Sequence, residues 1–195
     1  MKVGSLFAGI GGFDLGLERA GMQSAWFCEA DPFCRRVLGK HWPGVPCYPD
    51  VRELRGADVE WVDVLCGGFP CQDLSVAGAG AGIDGSRSGL WSEYARVIGE
   101  VRPRYVVVEN VTDLLVRGKR WPRAPIGRVL GDLAALGYDA EWDCIPACAV
   151  GAPHQRDRVW IVAYPHSEQL REQPGRSGGE SGTGAALVGQ AGADW

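Results

Sequence analysis

The sequence has no long apolar run, few lysines and no regular spacing of cysteines. No stretch of about 18 apolar residues occurs, and the N-terminus has no basic segment followed by an apolar one, so we expect neither a membrane span nor secretion. Lysine occurs only at positions 2, 40 and 119, and the net charge of −4 excludes a uniformly basic surface. A local basic patch is still compatible with nucleic-acid binding. These absences predict a cytoplasmic protein without a membrane partner.

The seven cysteines do not have the pattern of a disulfide framework. Their number is odd and their spacing is irregular, at positions 28, 34, 47, 66, 71, 144 and 148. Cys144 and Cys148 form the one close pair, with no second pair or nearby histidine to complete a zinc site. We therefore expect reduced thiols and no metal.

Length and composition indicate one folded domain followed by a tail. A chain of 195 residues is long enough to bury a single core, and its apolar fraction of 46% is ordinary for a globular protein. Residues 167–194 are rich in Gly, Ser, Gln and Glu and contain few large apolar residues. We predict a folded domain over residues 1–165 and a flexible low-complexity tail over residues 166–195.

The first segment has the pattern of a strand, a glycine turn and a helix. Lys2 to Phe7 is a short apolar run, Ala8 to Gly12 forms the turn, and Phe13, Leu17 and Ala20 recur at helical spacing. In nucleotide-binding α/β units such a turn lets the backbone approach the ligand, and the helix N-terminus offers free N–H groups. The full pattern of three spaced glycines is not matched, so this turn alone leaves an ordinary strand-to-helix connection open.

Acidic residues follow the next two predicted strands. Ser24 to Cys28 predicts a strand that ends at Glu29-Ala30-Asp31, and an acid about 20 residues after a glycine turn is placed to accept hydrogen bonds from ribose hydroxyls. At least one of Glu29 and Asp31 is instead expected to stabilise the N-terminus of a helix over residues 32–40. Asp50 follows Pro49 and is placed either to contact the base of the same ligand or to form a turn.

Cys71 lies on a Pro-Cys turn just after a predicted buried strand, Val62 to Cys66. A thiolate at the end of a strand, on a turn flanked by glycines, is placed to attack a substrate. The alternative is a buried structural cysteine, because free cysteines are among the most buried residues. The glycine-rich stretch from Val76 to Gly89 is unusually long for a loop, and its position next to Cys71 suits a lid over the reacting groups.

The second half of the chain predicts two helices and three strands. The helices are predicted over residues 90–102, where Pro103 ends the pattern, and over residues 126–136. Tyr105 to Val108 is a β-branched run typical of a strand buried on both faces, and it delivers Glu109-Asn110-Val111 to the sheet edge where ligands bind. Further strands are predicted over residues 139–145 and 159–164.

Arg156 and Arg158 stand two apart at the start of the last predicted strand. Side chains at that spacing point to the same face of a strand, so both guanidinium groups are expected on one surface. Bidentate donors of this kind suit a phosphate or a carbonyl oxygen. The alternative is a solvated pair of loop charges.

In this order, the segments resemble the motifs of the DNA cytosine-5 methyltransferase family. The resemblance implies an α/β fold with three layers, α/β/α, of the Rossmann-like type found in S-adenosylmethionine-dependent methyltransferases. Its sheet would be mostly parallel with one antiparallel strand. The matching segments are Ser5–Phe13, Glu29, Asp50, Gly68–Gln72, Glu109–Val111 and Arg156–Arg158.

The resemblance implies an enzyme that methylates carbon 5 of cytosine in duplex DNA, with S-adenosyl-L-methionine as cofactor. Cys71 would add to carbon 6 of a flipped-out cytosine, Glu109 would hydrogen-bond or protonate the ring at N3, and Arg158 with Arg156 would hold the O2 edge. The sequence does not identify the base that removes the carbon 5 proton. The implied DNA contacts are Gln72, Ser75 and Arg87, and the implied cofactor contacts are Phe7, Ala8, Gly9, Ile10, Gly11, Gly12, Glu29, Ala30, Asp50, Val51, Pro70 and Leu90.

The sequence departs from the family pattern in two places. His154 stands where members usually carry glutamine. Members continue past the last matched strand with a target-recognition domain and a C-terminal segment that packs beside the cofactor turn, so we expect this chain to be the catalytic half only. A second polypeptide that carries the recognition domain is therefore a candidate partner. The alternatives are a cytosine-5 methyltransferase of transfer RNA and an inactive or split fragment.

Overall fold

A computed structural model describes residues 1–70, 89–116 and 124–166 of the chain. Seven strands and four helices lie in this part, with short 3-10 turns over residues 56–58, 112–115 and 147–150. The strands are β1 (Lys2–Leu6), β2 (Gln23–Cys28), β3 (Cys47–Tyr48), β4 (Val64–Gly67), β5 (Tyr105–Val111), β6 (Tyr138–Pro146) and β7 (Asp157–Pro165). The helices are α1 (Gly12–Arg19), α2 (Pro32–His41), α3 (Leu90–Val101) and α4 (Ile126–Ala135).

The strands form one sheet in the order β3-β2-β1-β4-β5-β7-β6. Neighbours from β3 to β5 pair in parallel, whereas β7 pairs antiparallel with both β5 and β6. Within the described residues β7 is thus the strand that runs against the others. The predicted α/β fold with a mostly parallel sheet and one antiparallel strand is confirmed, and the predicted helices and strands are present with ends shifted by a few residues.

The two central strands are covered on both faces. All four residues of β4 and the last four of β1 are buried. On one face Val3, Val64 and Cys66 pack against Phe13 and Leu17 of α1, and we call this the α1 face. Their alternating neighbours on the opposite face, which we call the α3 face, pack among the buried residues of α3. Most of the core lies on the α3 face, between the sheet and helices α3 and α4.

Strand β5 corrects one prediction from sequence. The run Tyr105 to Val108 was expected to be buried on both faces, but burial alternates along it. Val106 and Val108 are fully buried on the α3 face, whereas Tyr105 is 41% exposed on the α1 face. The reason is that the described residues place helix α1 over β1 and β4 but no helix over the α1 face of β5.

Asp14 in the first turn of α1 is a buried acid. Its side chain is fully buried, and neither carboxylate oxygen has a hydrogen-bond partner. Loss of solvation raises the pKa of Asp14 to about 6, and the nearby charge of Glu18 adds to this rise, while the neighbouring Ser5 hydroxyl opposes it. The folded state therefore favours the protonated form of this carboxyl group.

Asp14→Asn is expected to stabilise the protein at alkaline pH. Since the pKa of Asp14 is about 6 in the folded state and ~3.9 when unfolded, folding stability falls as pH rises between these values and stays low above them. The variant should gain up to ~3 kcal/mol at pH 8 and almost nothing near pH 4. Urea denaturation of variant and wild type across this pH range measures the difference. A difference independent of pH would contradict the prediction, and the exposed Asp58→Asn is the control.

Candidate functional site

The candidate site lies at the carboxyl ends of the central strands. Strand order reverses between β1 and β4, because the chain continues from β1 to β2 on one side and from β4 to β5 on the other. Open α/β sheets bind ligands in the crevice outside this switch point. The glycine turn follows β1 there, the segment Gly68-Phe69-Pro70 follows β4, and Glu109 lies near the end of β5.

Glu29 is fixed at the glycine turn by two backbone hydrogen bonds. The N–H of Gly9 donates to Glu29 Oε2 and the N–H of Asp31 donates to Oε1, each at 2.7 Å. A carboxylate has about four acceptor sites, so both oxygens can still accept a hydrogen bond from a ligand hydroxyl. Asp31 instead caps α2 and accepts from the N–H of Phe33 at 2.6 Å. The expectation that one of the two acids stabilises the helix is confirmed, and that acid is Asp31.

The turn between β1 and α1 leaves open space beside the backbone. Gly9 and Gly11 have φ of 56° and 87°, conformations that favour glycine. A Cβ on Gly9 would meet nothing within 4 Å, whereas one on Gly11 would lie 2.5 Å from the Trp42 ring. Gly11 precedes α1 without a side-chain cap, so the first N–H groups of the helix are available to a ligand. Phe7 also has a positive φ, of 53°, which is strained for a non-glycine residue.

Asp50 lies at the same edge of the sheet as Glu29. The N–H of Glu29 donates to the carbonyl of Tyr48 at 2.9 Å, and Asp50 follows two residues later. Its carboxylate accepts from the backbone N–H of Arg52 at 3.0 Å and pairs with the Arg52 guanidinium at 2.7 Å. Those hydrogen bonds from Arg52 lower the pKa of Asp50. The structure thus shows Asp50 in a turn, which was the alternative to a ligand contact. The contact of Asp50 with the base of a ligand stays a prediction.

The other predicted cofactor residues differ in their exposure to solvent. Ile10 is 60% exposed on the turn, whereas Val51 is buried in the core. Ala8 is buried and donates its N–H to the carbonyl of Cys28 at 3.2 Å. Four predicted cofactor residues remain. Gly12 and Leu90 are the first residues of α1 and α3, Ala30 follows Glu29, and Pro70 follows Phe69.

Glu109 and Arg158 form an ion pair at the edge of a cavity. Glu109 Oε1 lies 2.8 Å from Arg158 Nε, and each side chain is about three-quarters buried, with 26% and 21% exposed. The two residues come from neighbouring antiparallel strands, β5 and β7. The cavity has a volume of about 420 Å³ and is lined by Glu109, Ile145, Pro146, Ala147, Val150, Arg156, Arg158 and Trp160.

Arg156 reaches this cavity for a different reason from the one predicted. It precedes β7, which begins at Asp157, and its φ of 41° breaks the strand alternation on which the prediction rested. Both arginines nevertheless line one cavity. Cys71, Gln72, Ser75 and Arg87 lie outside the described residues. Pro70, the residue before Cys71, is the last described residue of that segment.

Two residues that were not predicted as site residues hold the segment before Cys71 against β5. The buried Asn110 side chain donates to the carbonyl of Phe69 at 3.1 Å and accepts from the N–H of Val111 at 2.8 Å. A Cβ on Gly68 would lie only 2.7 Å from Glu109 Oε2. Both residues belong to the segments that match the family motifs, but the contact between Gly68 and Glu109 joins two distant segments and has no signal in the sequence.

Gly68→Ala is expected to displace the Glu109 carboxylate. The enzymatic activity should then fall about 10- to 100-fold, since a shift near 1 Å in a reacting group has effects of this size. The loss should appear in kcat more than in KM. Steady-state kinetics measure both. Gly131→Ala in α4 is the control, because its Cβ would meet nothing within 4 Å. Equal activity of the two variants would contradict the role of Gly68.

The sequence matches the family model described as C-5 cytosine-specific DNA methylase over residues 1–181. Type II methyltransferase M2.BsuMI of Bacillus subtilis is 40% identical over 167 residues, which cover 84% of this chain and 42% of the relative. Type II methyltransferase M1.ScrFI of Lactococcus lactis is 34% identical, with 84% of this chain and 41% of the relative covered. The chain thus spans less than half the length of these relatives.

Solved structures show the same fold. S. pombe Dnmt2 methyltransferase superposes with a TM-score of 0.65 at 18% identity. The superposed region covers 85% of this chain and 49% of the Dnmt2 chain. Entamoeba histolytica methyltransferase EhMeth gives a TM-score of 0.67 at 15% identity, with 84% and 52% covered. The chain therefore has the α/β fold of these methyltransferases.

Residues 1–70, 89–116 and 124–166 contain neither a membrane-spanning helix nor a metal-binding cluster. No helix there is long and apolar enough to cross a membrane. The same ranges contain no group of three or more His, Cys, Asp or Glu side chains that could hold a metal ion.

Proposed function

Since the chain belongs to the C-5 cytosine-specific DNA methylase family, we propose that it transfers a methyl group from S-adenosyl-L-methionine to carbon 5 of cytosine in DNA. The observation that carries this proposal is the Glu109–Arg158 pair, 2.8 Å apart at the edge of a cavity. A carboxyl group and a guanidinium so placed suit the ring nitrogen and carbonyl oxygen of a pyrimidine. The segment that leads into Cys71 packs against the same carboxylate.

The residues of the glycine turn fit the proposed cofactor. S-adenosyl-L-methionine supplies a methyl group on a positively charged sulfur. Glu29 retains acceptor sites for ribose hydroxyls, the backbone at Gly9 is open to a ligand, and the uncapped start of α1 offers N–H groups. Asp50 is the proposed contact to the adenine.

In the proposed mechanism the chain's own residues make carbon 5 of cytosine reactive. The Cys71 thiolate forms a bond with carbon 6, which moves electron density to carbon 5. Glu109 holds or supplies a proton at N3, and Arg158 with Arg156 places positive charge where the ring becomes negative. After methylation, removal of the carbon 5 proton lets the carbon–sulfur bond break and restores the free thiolate.

The proposed substrate is duplex DNA with the target cytosine flipped out of the stack, because carbon 6 is unreachable inside a duplex. Gln72, Ser75 and Arg87 are the proposed contacts to DNA, and residues 1–165 the proposed catalytic domain. Because the curated relatives are bacterial Type II methyltransferases, we propose that the enzyme acts in the cytoplasm of a prokaryote or of a phage-infected host. A second polypeptide that carries a recognition domain is a further proposed partner.

The test is a methylation assay with substrates in parallel. The full chain is incubated with S-adenosyl-L-methionine carrying a labelled methyl group and with either unmethylated DNA or transfer RNA, and nucleosides are analysed by mass spectrometry. Label in 5-methyldeoxycytidine is the expected result. Label in RNA alone would replace the DNA assignment. Saturable cofactor binding in calorimetry, without label in either polymer, would indicate an inactive fragment or one that requires a partner chain.

A further inference from the structure

Four aromatic side chains form a cluster that joins the segments of the candidate site. Phe7 of the glycine turn lies 6.2 Å from Tyr94 of α3, measured between ring centroids. The ring of Trp91, in the first turn of α3, lies 5.6 Å from Tyr94 and 5.2 Å from Phe69. The Tyr94 hydroxyl donates to the carbonyl of Val107 in β5 at 3.1 Å. These side chains, which we call the aromatic cluster, therefore contact the glycine turn, the segment before Cys71 and the strand that carries Glu109.

The indole N–H of Trp91 donates to a residue of another helix. Its acceptor is Asp132 Oδ2 of α4, at 2.8 Å. Arg128 Nε, one turn earlier on α4, lies 2.7 Å from the same oxygen. The Trp91 side chain is only 1% exposed, so its N–H cannot turn to water without moving the ring. Since a hydrogen bond to an ionised acceptor is about twice as strong as a neutral one, Asp132 fixes the orientation of the indole.

Phe69 is held from two sides. Its ring packs on Trp91 and is 3% exposed, and its carbonyl accepts from Asn110 Nδ2 at 3.1 Å. In the sequence only Pro70 separates Phe69 from Cys71. Because proline fixes its own φ and peptide bonds are planar, few rotatable bonds lie between the backbone of Phe69 and that of Cys71. A displacement of Phe69 is therefore passed on to Cys71.

We propose that Asp132 is a positioning residue for Cys71. Its hydrogen bond orients the Trp91 indole, the indole supports the Phe69 ring, and the backbone of Phe69 leads into the residue that carries the thiol. Among the described residues, none of α4 lines the cavity beside Glu109, so Asp132 acts through its neighbours. This inference rests on the proposed function, in which Cys71 is the nucleophile.

The alternative is a hydrogen bond that only joins α3 to α4. Two observations favour the positioning role. The ion pair between Arg128 and Asp132 lies within α4, so it does not itself connect the helices. The bond from Trp91 acts at the first turn of α3, where the indole also contacts Phe69, rather than further along the helix.

Asp132→Ala in the full-length chain should lower the rate of methyl transfer about tenfold, since a small misplacement caused by a distant mutation reduces rates to this extent. Single-turnover kinetics at saturating DNA and S-adenosyl-L-methionine measure the rate. Asp132→Asn keeps an oxygen that accepts from the indole, and should stay within about threefold of the wild type. Calorimetric affinity for the cofactor should change less than about twofold in both variants, because Asp132 touches none of the proposed cofactor contacts.

Tyr138→Phe is the control for a general loss of stability. It removes a buried hydrogen bond, from the Tyr138 hydroxyl to the carbonyl of Pro103 at 2.7 Å, that belongs to no segment of the site. The rate of this variant should stay within about twofold of the wild type. An unchanged rate in Asp132→Ala, an equal loss in Asp132→Asn, or an equal loss in Tyr138→Phe would each overturn the proposal.

Hydrogen–deuterium exchange tests the same route without methylation. The peptide that contains Gly68 and Phe69 should exchange about tenfold faster in Asp132→Ala, because loss of a hydrogen bond to a charged group shifts a local opening equilibrium by about this factor. Exchange of this peptide in Tyr138→Phe should match the wild type. A wild type that transfers no methyl group would overturn the proposed function, and exchange would still show whether Asp132 holds this segment.

Trp91→Phe tests whether the effect of Asp132 passes through the indole. The variant keeps a ring beside Phe69 but has no N–H, so it should slow methyl transfer as Asp132→Ala does. The double variant should be no slower than the slower single one, because residues that act on one route are not additive. Additive losses would show that Asp132 acts by another route and would overturn the proposal.

Discussion

Cys71→Ala is expected to abolish methyl transfer, with a loss on the order of 10⁴-fold or more, because the variant cannot form the proposed bond to carbon 6 that would activate carbon 5. DNA containing 5-fluorocytosine provides a direct measurement. Fluorine cannot leave carbon 5 as a proton does, so the wild-type chain should stay covalently attached to this DNA in a denaturing gel. The variant should give no such species.

The other thiols provide the controls for this prediction. Burial raises the pKa of Cys28 to about 12, and it also raises the pKa of Cys66 in β4, so neither thiol forms a thiolate readily near neutral pH. Cys144 is exposed and belongs to β6, which makes Cys144→Ala a suitable control with full activity expected. Calorimetric binding of S-adenosyl-L-methionine by Cys71→Ala distinguishes loss of the nucleophile from loss of the fold. An adduct that persists in this variant would disprove the assignment.

Local sequence patterns predicted most of the fold because local physical chemistry determines those features. Pro103 cannot continue a helix, and α3 ends at Val101. Asp31 before Pro32 has the pattern of a helix start, and its side chain caps α2. The apolar run around Val64 to Cys66 marks a strand covered on both faces. In each case one segment contains all the information that fixes its structure.

Features that depend on contacts between distant segments could not be predicted in this way. The close approach of Gly68 to the Glu109 carboxylate joins segments about 40 residues apart in the chain. Arg156 reaches the cavity through a left-handed backbone conformation that no spacing rule indicates. Asp14 looks like an ordinary acid in the first turn of a helix, and only the packing of α1 on the sheet leaves its carboxylate without a partner.

The case of β5 shows that a wrong local prediction can carry information. Its valines indicate cover on both faces, and the described residues cover one. Composition reflects the environment in which a strand functions, including any partner. The family motifs lie together for a topological reason: most follow the carboxyl end of a parallel strand, and Arg156–Arg158 starts the antiparallel β7 at the same edge of the sheet.

Glu109→Gln is expected to lower the rate of methyl transfer by ~10²- to 10⁴-fold, the usual contribution of a group that transfers a proton. Glutamine keeps the shape and a hydrogen bond but cannot supply the proton to N3. The effect should fall on kcat, measured by single-turnover kinetics at saturating DNA. Cofactor affinity should change little, because the proposed contacts to that ligand are Glu29 and the glycine turn.

A double-mutant cycle with Arg158→Ala shows whether Glu109 and Arg158 act as one unit. If both groups stabilise charge on the same base, the double variant should lose little more than Glu109→Gln alone, because residues that act together are not additive. The pair Glu93–Arg96 on α3 is a matched control. Its N–O distance is also 2.8 Å and its side chains are similarly exposed, at 30% and 27%. Since Glu93 lies away from the cavity, Glu93→Gln should leave the rate within about twofold of wild type. Strict additivity of Glu109→Gln and Arg158→Ala would show that the two residues act independently. A comparable loss in Glu93→Gln would show that the ion pair serves the fold rather than the reaction.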